Sequence, residues 1–173
     1  MVKDILRSTD PLLRLVSKPV KKIDKKVLSI IADLKETLLV QKDPEGVGLA
    51  ASQIGKGLRI FVVKEGDKPK IFINPEITTQ VDEKRKRSVN KIMEGCLSLP
   101  NFYGPLKRTF KIRVKYTREN GEELEEEYEG LSSQIIQHEI DHLNGILFVD
   151  RLLQQKKPLY ELVKGEWHEV ELT

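Results

Sequence analysis

Val27, Ile30, Ile31, Leu34 and Leu38 recur at three- and four-residue spacing, with charged residues between them. That spacing predicts an amphipathic helix opening at Asp24, whose carboxylate suits an N-cap. Asp43-Pro44 ends the pattern, and Gly46, Gly48, Gly55 and Gly57 make the next stretch a close-packed loop. Upstream, residues 10–23 read as irregular, punctuated by Pro11 and Pro19. Residues 58–64 (LRIFVVK) and 70–74 (KIFIN) read as short strands. Residues 111–117 (KIRVKYT) alternate apolar and charged positions, the mark of a half-buried strand. Asn120-Gly121 then makes a hairpin turn, and 122–129 is the return strand. Gly130 leads to Ser132 and Ser133, either of which suits the cap of a second helix that stops near Asn144-Gly145. A short helical piece broken at Pro158 and a strand-like HEVEL follow. Strands come first and a helix is inserted late, which predicts an α+β fold rather than a doubly wound parallel sheet.

The length of 173 residues suits one domain with a core of its own, and no linker or repeat marks a boundary, so residues 1–173 are expected to form a single domain. The chain is 39% hydrophobic and 33% charged, with a net charge of only +3. Such a balance argues for neither a nucleic-acid binder nor a membrane-surface protein. Cys96 is the one cysteine, so the fold does not depend on an internal disulfide or an oxidising compartment. The first twenty residues lack the apolar core of a secretory signal, and no apolar run approaches the ~20 residues of a membrane span. A cytoplasmic enzyme or binding protein is the expectation. KRKR at 84–87 reads as a solvated hairpin tip or loop, with RNA contact as the alternative. EELEEEYE at 122–129 reads as the wet face of an edge strand, and the lysines from 21 to 26 as a solvated helix start.

The chemistry concentrates in IIQHEIDHLNG, residues 135–145. On a helix His138 and His142 project from one face, one turn apart, and can converge on one metal ion. Glu139 is rotated about 100° from His138 at ~3.6 residues per turn. It is too far round to be a third ligand, yet able to reach water at the metal. That is the mechanical sense of HExxH: two ligands and a general base. Ile136, Ile140, Leu143 and Leu147 mark the core side. The alternative is two histidines on a partly exposed helix with Glu139 as a surface charge.

A catalytic site of this kind needs three protein ligands and an open position. The extension HExxHxxGxxH fails here, because Gly145 is present but Phe148 stands at its last position. Glu161 downstream serves a second pattern, that of an HExxH zinc metallopeptidase. Cys96 in EGCLSLP serves a third: a thiolate with two imidazoles suits zinc or ferrous iron. Gly95 and Pro100 stiffen its surroundings, although a lone cysteine is also a common small core residue. GVGLAASQIG at 46–55 is not a phosphate loop, lacking both the GK[ST] and the third glycine of such motifs. Its Gln53 is a neutral donor and acceptor in an apolar stretch.

Taken together, GVGLAASQ, EGCLSLP and QHEIDH, in this order and spacing, resemble the peptide deformylase family from about residue 10 to 150, and DPLLR followed by KPV is similar as well. The resemblance implies an α+β fold of mixed, mostly antiparallel strands packed around the HExxH-bearing helix. It implies hydrolytic removal of the N-formyl group from the N-terminal formylmethionine of new polypeptides, with release of formate. It makes Cys96, His138 and His142 the metal ligands, with ferrous iron as the working metal and zinc or nickel as substitutes in purified protein. Glu139 becomes the general acid/base, and Gln53 and the Leu97 backbone N–H the oxyanion donors. Gly46, Val47 and Gly48 would lie along the substrate, and Val47, Ile92, Leu131 and Ile135 would form the methionine slot, with Gln134 at its rim.

Two stretches depart from the family pattern. Asn101, Phe102 and Tyr103 stand where a charged residue is expected soon after Pro100. The C-terminus lacks the long basic helix that some relatives use at the ribosome, leaving at most transient ribosome contact. His168 reads as a surface residue. The partner expected is the N-formylmethionyl nascent peptide, with no nucleic acid or membrane, met by a monomer in the bacterial cytoplasm or an organellar matrix.

Overall fold

The computed structural model describes residues 1–82 and 93–172, so the KRKR run and Ile92 lie outside the described residues. Asp24 caps α1 (Lys25–Leu39), accepting from the Val27 N–H at 2.9 Å. The glycine-rich stretch holds a short strand, β1 (Gly48–Ala50), and a 3-10 turn over Ala51–Ile54. β2 (Ile60–Glu65), β3 (Lys68–Val81), β6 (Lys111–Thr117) and β7 (Glu123–Glu129) complete a five-stranded sheet in the order β1-β2-β3-β6-β7. β4 (Glu94–Cys96), β5 (Leu99–Gly104), β8 (Leu159–Val163) and β9 (Glu166–Val170) form a second sheet in that order. Neighbouring strands in both sheets are antiparallel. With helices α2 (Gly130–Leu143) and α3 (Phe148–Gln155), the fold is α+β, as expected.

The run Ile60–Val63 is buried at every position because the five-stranded sheet is covered on both faces. Ile60 and Val62 point into a cluster with Ile30, Ile31 and Leu34 of α1. Phe61 and Val63 point the other way, into a cluster with Ile136, Ile140 and Leu143 of α2. Ile112, Val114 and Tyr116 of β6 join this second cluster, as their alternation predicts. The smaller sheet packs its own core, including Leu106, Phe148, Leu152 and Leu159, with Cys96 at its margin.

Three local expectations need correction. α2 begins at Gly130 rather than at a serine cap, and no side chain caps its first turn. Ser133 is buried inside the helix, and its hydroxyl donates to the Thr109 carbonyl at 2.8 Å. β3 runs well past residue 74. Pro75 cannot donate to the ladder, so register shifts between Ile73 and Glu76, and the strand continues beyond that irregularity. The chain after Pro158 is a hairpin, β8–β9, turning at Lys164 and Gly165, both at positive φ.

The acidic β7 is an edge strand, as its charge suggests, but Glu126 turns to the protein. It accepts from Lys70 Nζ at 2.8 Å, from the Tyr116 hydroxyl at 2.8 Å, and from the Tyr128 hydroxyl. Partial burial works to raise its carboxyl; these donors outweigh that and hold it near 2, below the ordinary 4.5. A depressed folded-state pKa contributes stability above the unfolded value, and that contribution is lost as pH falls through the folded value. Glu126→Gln is therefore expected to melt below wild type at pH 7, with the gap closing between about pH 4.5 and 2. Melting temperatures of both proteins across that range check this, and a gap independent of pH would count against it.

Candidate metal centre

α2 packs Ile136, Ile140 and Leu143 onto the five-stranded sheet. That fixes the helix rotation and turns His138 and His142 toward β4. Their Nε2 atoms stand 3.2 Å apart, and Cys96 Sγ lies 3.3 Å from His142 Nε2. All three donor atoms lie within 4.8 Å of one another, and among the described residues this is the group able to hold a metal ion. A tetrahedral ion about 2.0–2.3 Å from nitrogen and sulfur donors sets neighbouring donors roughly 3.3–3.7 Å apart. The observed spacings of 3.2 and 3.3 Å are close to that. A thiolate and two imidazoles thus fit a single divalent cation. Glu161 is not in the group; it sits on β8 between Phe102 and His168 in the second sheet. His168 is exposed beside Glu166.

Behind the donors runs a buried chain of charges. Glu94 meets His138 Nδ1 at 2.6 Å. Arg108 donates to both Glu94 oxygens, at 3.1 and 2.8 Å, and to Asp141 at 2.6 Å. Arg151 closes the chain on Asp141, at 3.1 and 2.8 Å. Burial opposes charge on Glu94, yet His138 and Arg108 hold its carboxyl below the usual carboxylate range. Burial also opposes charge on His138, and the neighbouring Cys96 and Glu94 raise its pKa in spite of it. His142 goes the other way, lowered by burial and by the positive charges of His138 and Arg108. Its Nδ1 has no protein partner among the described residues.

Glu139 is 3% exposed, and one of its oxygens has no hydrogen-bond partner among the described residues. Burial pushes its carboxyl up to about 7. A cation on the three donors would oppose that shift. The other oxygen rests against β1, where a Cβ on Gly48 would come within 2.5 Å of Glu139 Oε1. Gln53, in the 3-10 turn, is clamped by the Ala50 N–H, which donates to its Oε1 at 2.9 Å. That leaves its Nε2 to donate to Ser98 Oγ at 3.1 Å and to face Cys96 Sγ at 3.6 Å. Leu97 and Ser98 form the turn that follows Cys96.

A cavity of about 340 Å³ opens beside these groups. Val47, Gly48, Leu97, Leu131, Gln134 and Ile135 all line it, with Gln53, Cys96, His138 and Glu139 at its deep side. Gly46 does not line it; this glycine is buried where a Cβ would strike Leu38 and Gln41. Met93 and Tyr103 also line the cavity; the sequence marked Tyr103 only as part of the departure after Pro100, and Met93 not at all. Glu94, Arg108, Asp141 and Arg151 were missed as well. Glu94 precedes Cys96 by two residues and Asp141 sits inside HEIDH, so adjacency to the motifs was the available signal.

Among the described residues no helix is long and apolar enough to cross a membrane. The family model for polypeptide deformylase matches residues 2–158. The peptide deformylase of Pseudothermotoga lettingae is 43% identical over 169 residues, covering 95% of this chain and 94% of that one. That of Psychrobacter arcticus is 42% identical over 156 residues, covering 88% of this chain and 80% of its own. The crystal structure of a peptide deformylase from Legionella pneumophila superposes with a TM-score of 0.78 at 39% identity, covering 88% of this chain and 86% of that chain. The Thermotoga maritima enzyme gives 0.77 at 40% identity, covering 87% and 97% respectively. On this match of sequence, fold and donor set, the chain belongs to the polypeptide deformylase family.

Proposed function

We propose that residues 1–173 act as one catalytic domain that removes the N-formyl group from N-terminal formylmethionine of new polypeptides, with Cys96, His138 and His142 as metal ligands. The observation that carries this reading is the convergence of those three donors beside a buried, partner-poor Glu139 at the end of an apolar cavity. A divalent cation on these donors supplies a Lewis acid that makes water a nucleophile near neutral pH and polarises an amide carbonyl. Ferrous iron is the metal expected in the cell, with zinc or nickel in purified protein, since iron and the Cys96 thiolate both oxidise in air.

Glu139 takes a proton from the attacking water as oxygen bonds to the formyl carbon. Gln53 Nε2 and the Leu97 backbone N–H hold the negative charge that develops on the formyl oxygen. The clamp on Gln53 Oε1 supports this, because it fixes the amide with its donors toward Cys96. Glu139 then gives its proton to the departing amine nitrogen as the C–N bond breaks, leaving formate and a free N-terminal methionine. Gly48 lies on an edge strand paired only with β2 among the described strands, which suits addition of an extended substrate backbone. Val47, Leu131 and Ile135 form the slot for the methionine side chain, and Gln134 its rim. The working form is a monomer in a bacterial cytoplasm or organellar matrix, and any ribosome contact is transient.

Formate release from formyl-Met-Ala, measured anaerobically with ferrous iron, tests the reading. Glu139→Gln is expected to lower turnover by about 10³-fold or more, because the carboxyl acts twice, and to leave the fold intact. A folded, iron-loaded wild type that released no formate would overturn it. Glu94→Gln is expected to weaken metal binding by about 10–100-fold, read by competition with a chelator, because His138 loses its charged partner. Gly48→Ala displaces the Glu139 carboxylate and is expected to cost about 10²-fold in turnover. Turnover at the wild-type level in that variant would show that Glu139 tolerates displacement.

A further inference from the structure

Tyr103 stands on β5 opposite Gly95 in the β4–β5 ladder. Its ring occupies the space above that glycine, where a Cβ would come within 2.6 Å of two ring carbons. On its other side Trp167, from β9, meets it edge-on, with ring centroids 5.5 Å apart and planes at 85°. The ring of Tyr103 is thus held between a glycine and a tryptophan, and it lines the cavity opposite Gly95, the residue before Cys96. Trp167 itself is 50% exposed.

The cavity has an apolar helix wall, with Leu131 and Ile135, and a strand wall where Tyr103 stands. Side chains of an extended peptide alternate sides. With the methionine side chain on the helix wall, the next residue points to the strand wall. We propose that Tyr103, held in place by Trp167 behind it, forms an aromatic shelf that receives the side chain of the residue after formylmethionine and favours an apolar or aromatic group there. This inference rests on the deformylase reading above.

The test compares kcat/KM for formyl-Met-Phe-Ser and formyl-Met-Ala-Ser in the metal-loaded wild type, Tyr103→Leu and Trp167→Leu. Wild type is expected to favour phenylalanine by roughly three- to tenfold, and each variant to lose most of that ratio. A pair that only pins the C-terminal hairpin would lower melting temperature and both rates together, leaving the ratio unchanged, and that result overturns the shelf. Trp167 is the only tryptophan in the chain, so its emission gives a reading that needs no variant. The product peptide Met-Phe-Ser is expected to shift that emission more than Met-Ala-Ser does. Equal rates on the two peptides, or emission indifferent to both products at saturating concentration, overturns the proposal even where a variant fails to fold. Absence of formate from either peptide in the wild type overturns the deformylase reading itself, and the shelf with it.

Discussion

Glu94 and Arg108 are buried against each other at 4% and 8% side-chain exposure, and the site depends on that pair. A lone carboxylate at this depth would take up a proton rather than stay charged. Arg108 keeps Glu94 ionised, and Glu94 in turn fixes the ring of His138 through Nδ1 and leaves Nε2 facing the centre. Asp141 and Arg151 extend the alternation of charge outward until it reaches partial solvent exposure. Within this network each buried charge has an opposite neighbour, the condition under which such networks persist in a protein interior.

α2 carries both the core and the chemistry, and its two faces constrain each other. Ile136, Ile140 and Leu143 seat the helix on Phe61 and Phe72, which stack at 4.7 Å. A helix held this way cannot rotate without unpacking that core, so the direction of the two imidazoles is set by apolar contacts on the far side. Glu139 gains its unusual environment from the same packing. It faces β1, and only a glycine at position 48 leaves room for its carboxylate.

What could be read from the sequence follows from how local each signal is. The i, i+4 histidines and the apolar stripe of α2 are contained within one helix, so periodicity alone located them. Asp24 as a cap and Asn120-Gly121 as a turn are equally local. Choosing Cys96 over Glu161 as third ligand, and giving Gln53 a role, needed the resemblance, because only tertiary packing brings residues from three distant segments within a few ångströms. Arg108 shows the limit: on sequence it is one more basic residue after PLK, and its burial between Glu94 and Asp141 is decided by contacts made across the fold. β8 was missed because Pro158 obscured a strand whose partner, β5, lies far back in the chain. The register irregularity at Pro75 likewise depends on β6 accepting a strand that a local reading would have ended.

The donor set has a consequence of another kind. Cys96 belongs to the four-stranded sheet, whereas His138 and His142 ride on a helix packed against the five-stranded one. A cation held by all three acts as a staple between two separately cored layers. Unfolding either layer dismantles its cage, so each tenfold excess of free ion over its dissociation constant adds about 1.4 kcal/mol to the cohesion of the layers. Retention of the metal is thus a gauge of tertiary integrity, and scarcity of metal in the cell becomes a matter of the protein's persistence as well as of its turnover.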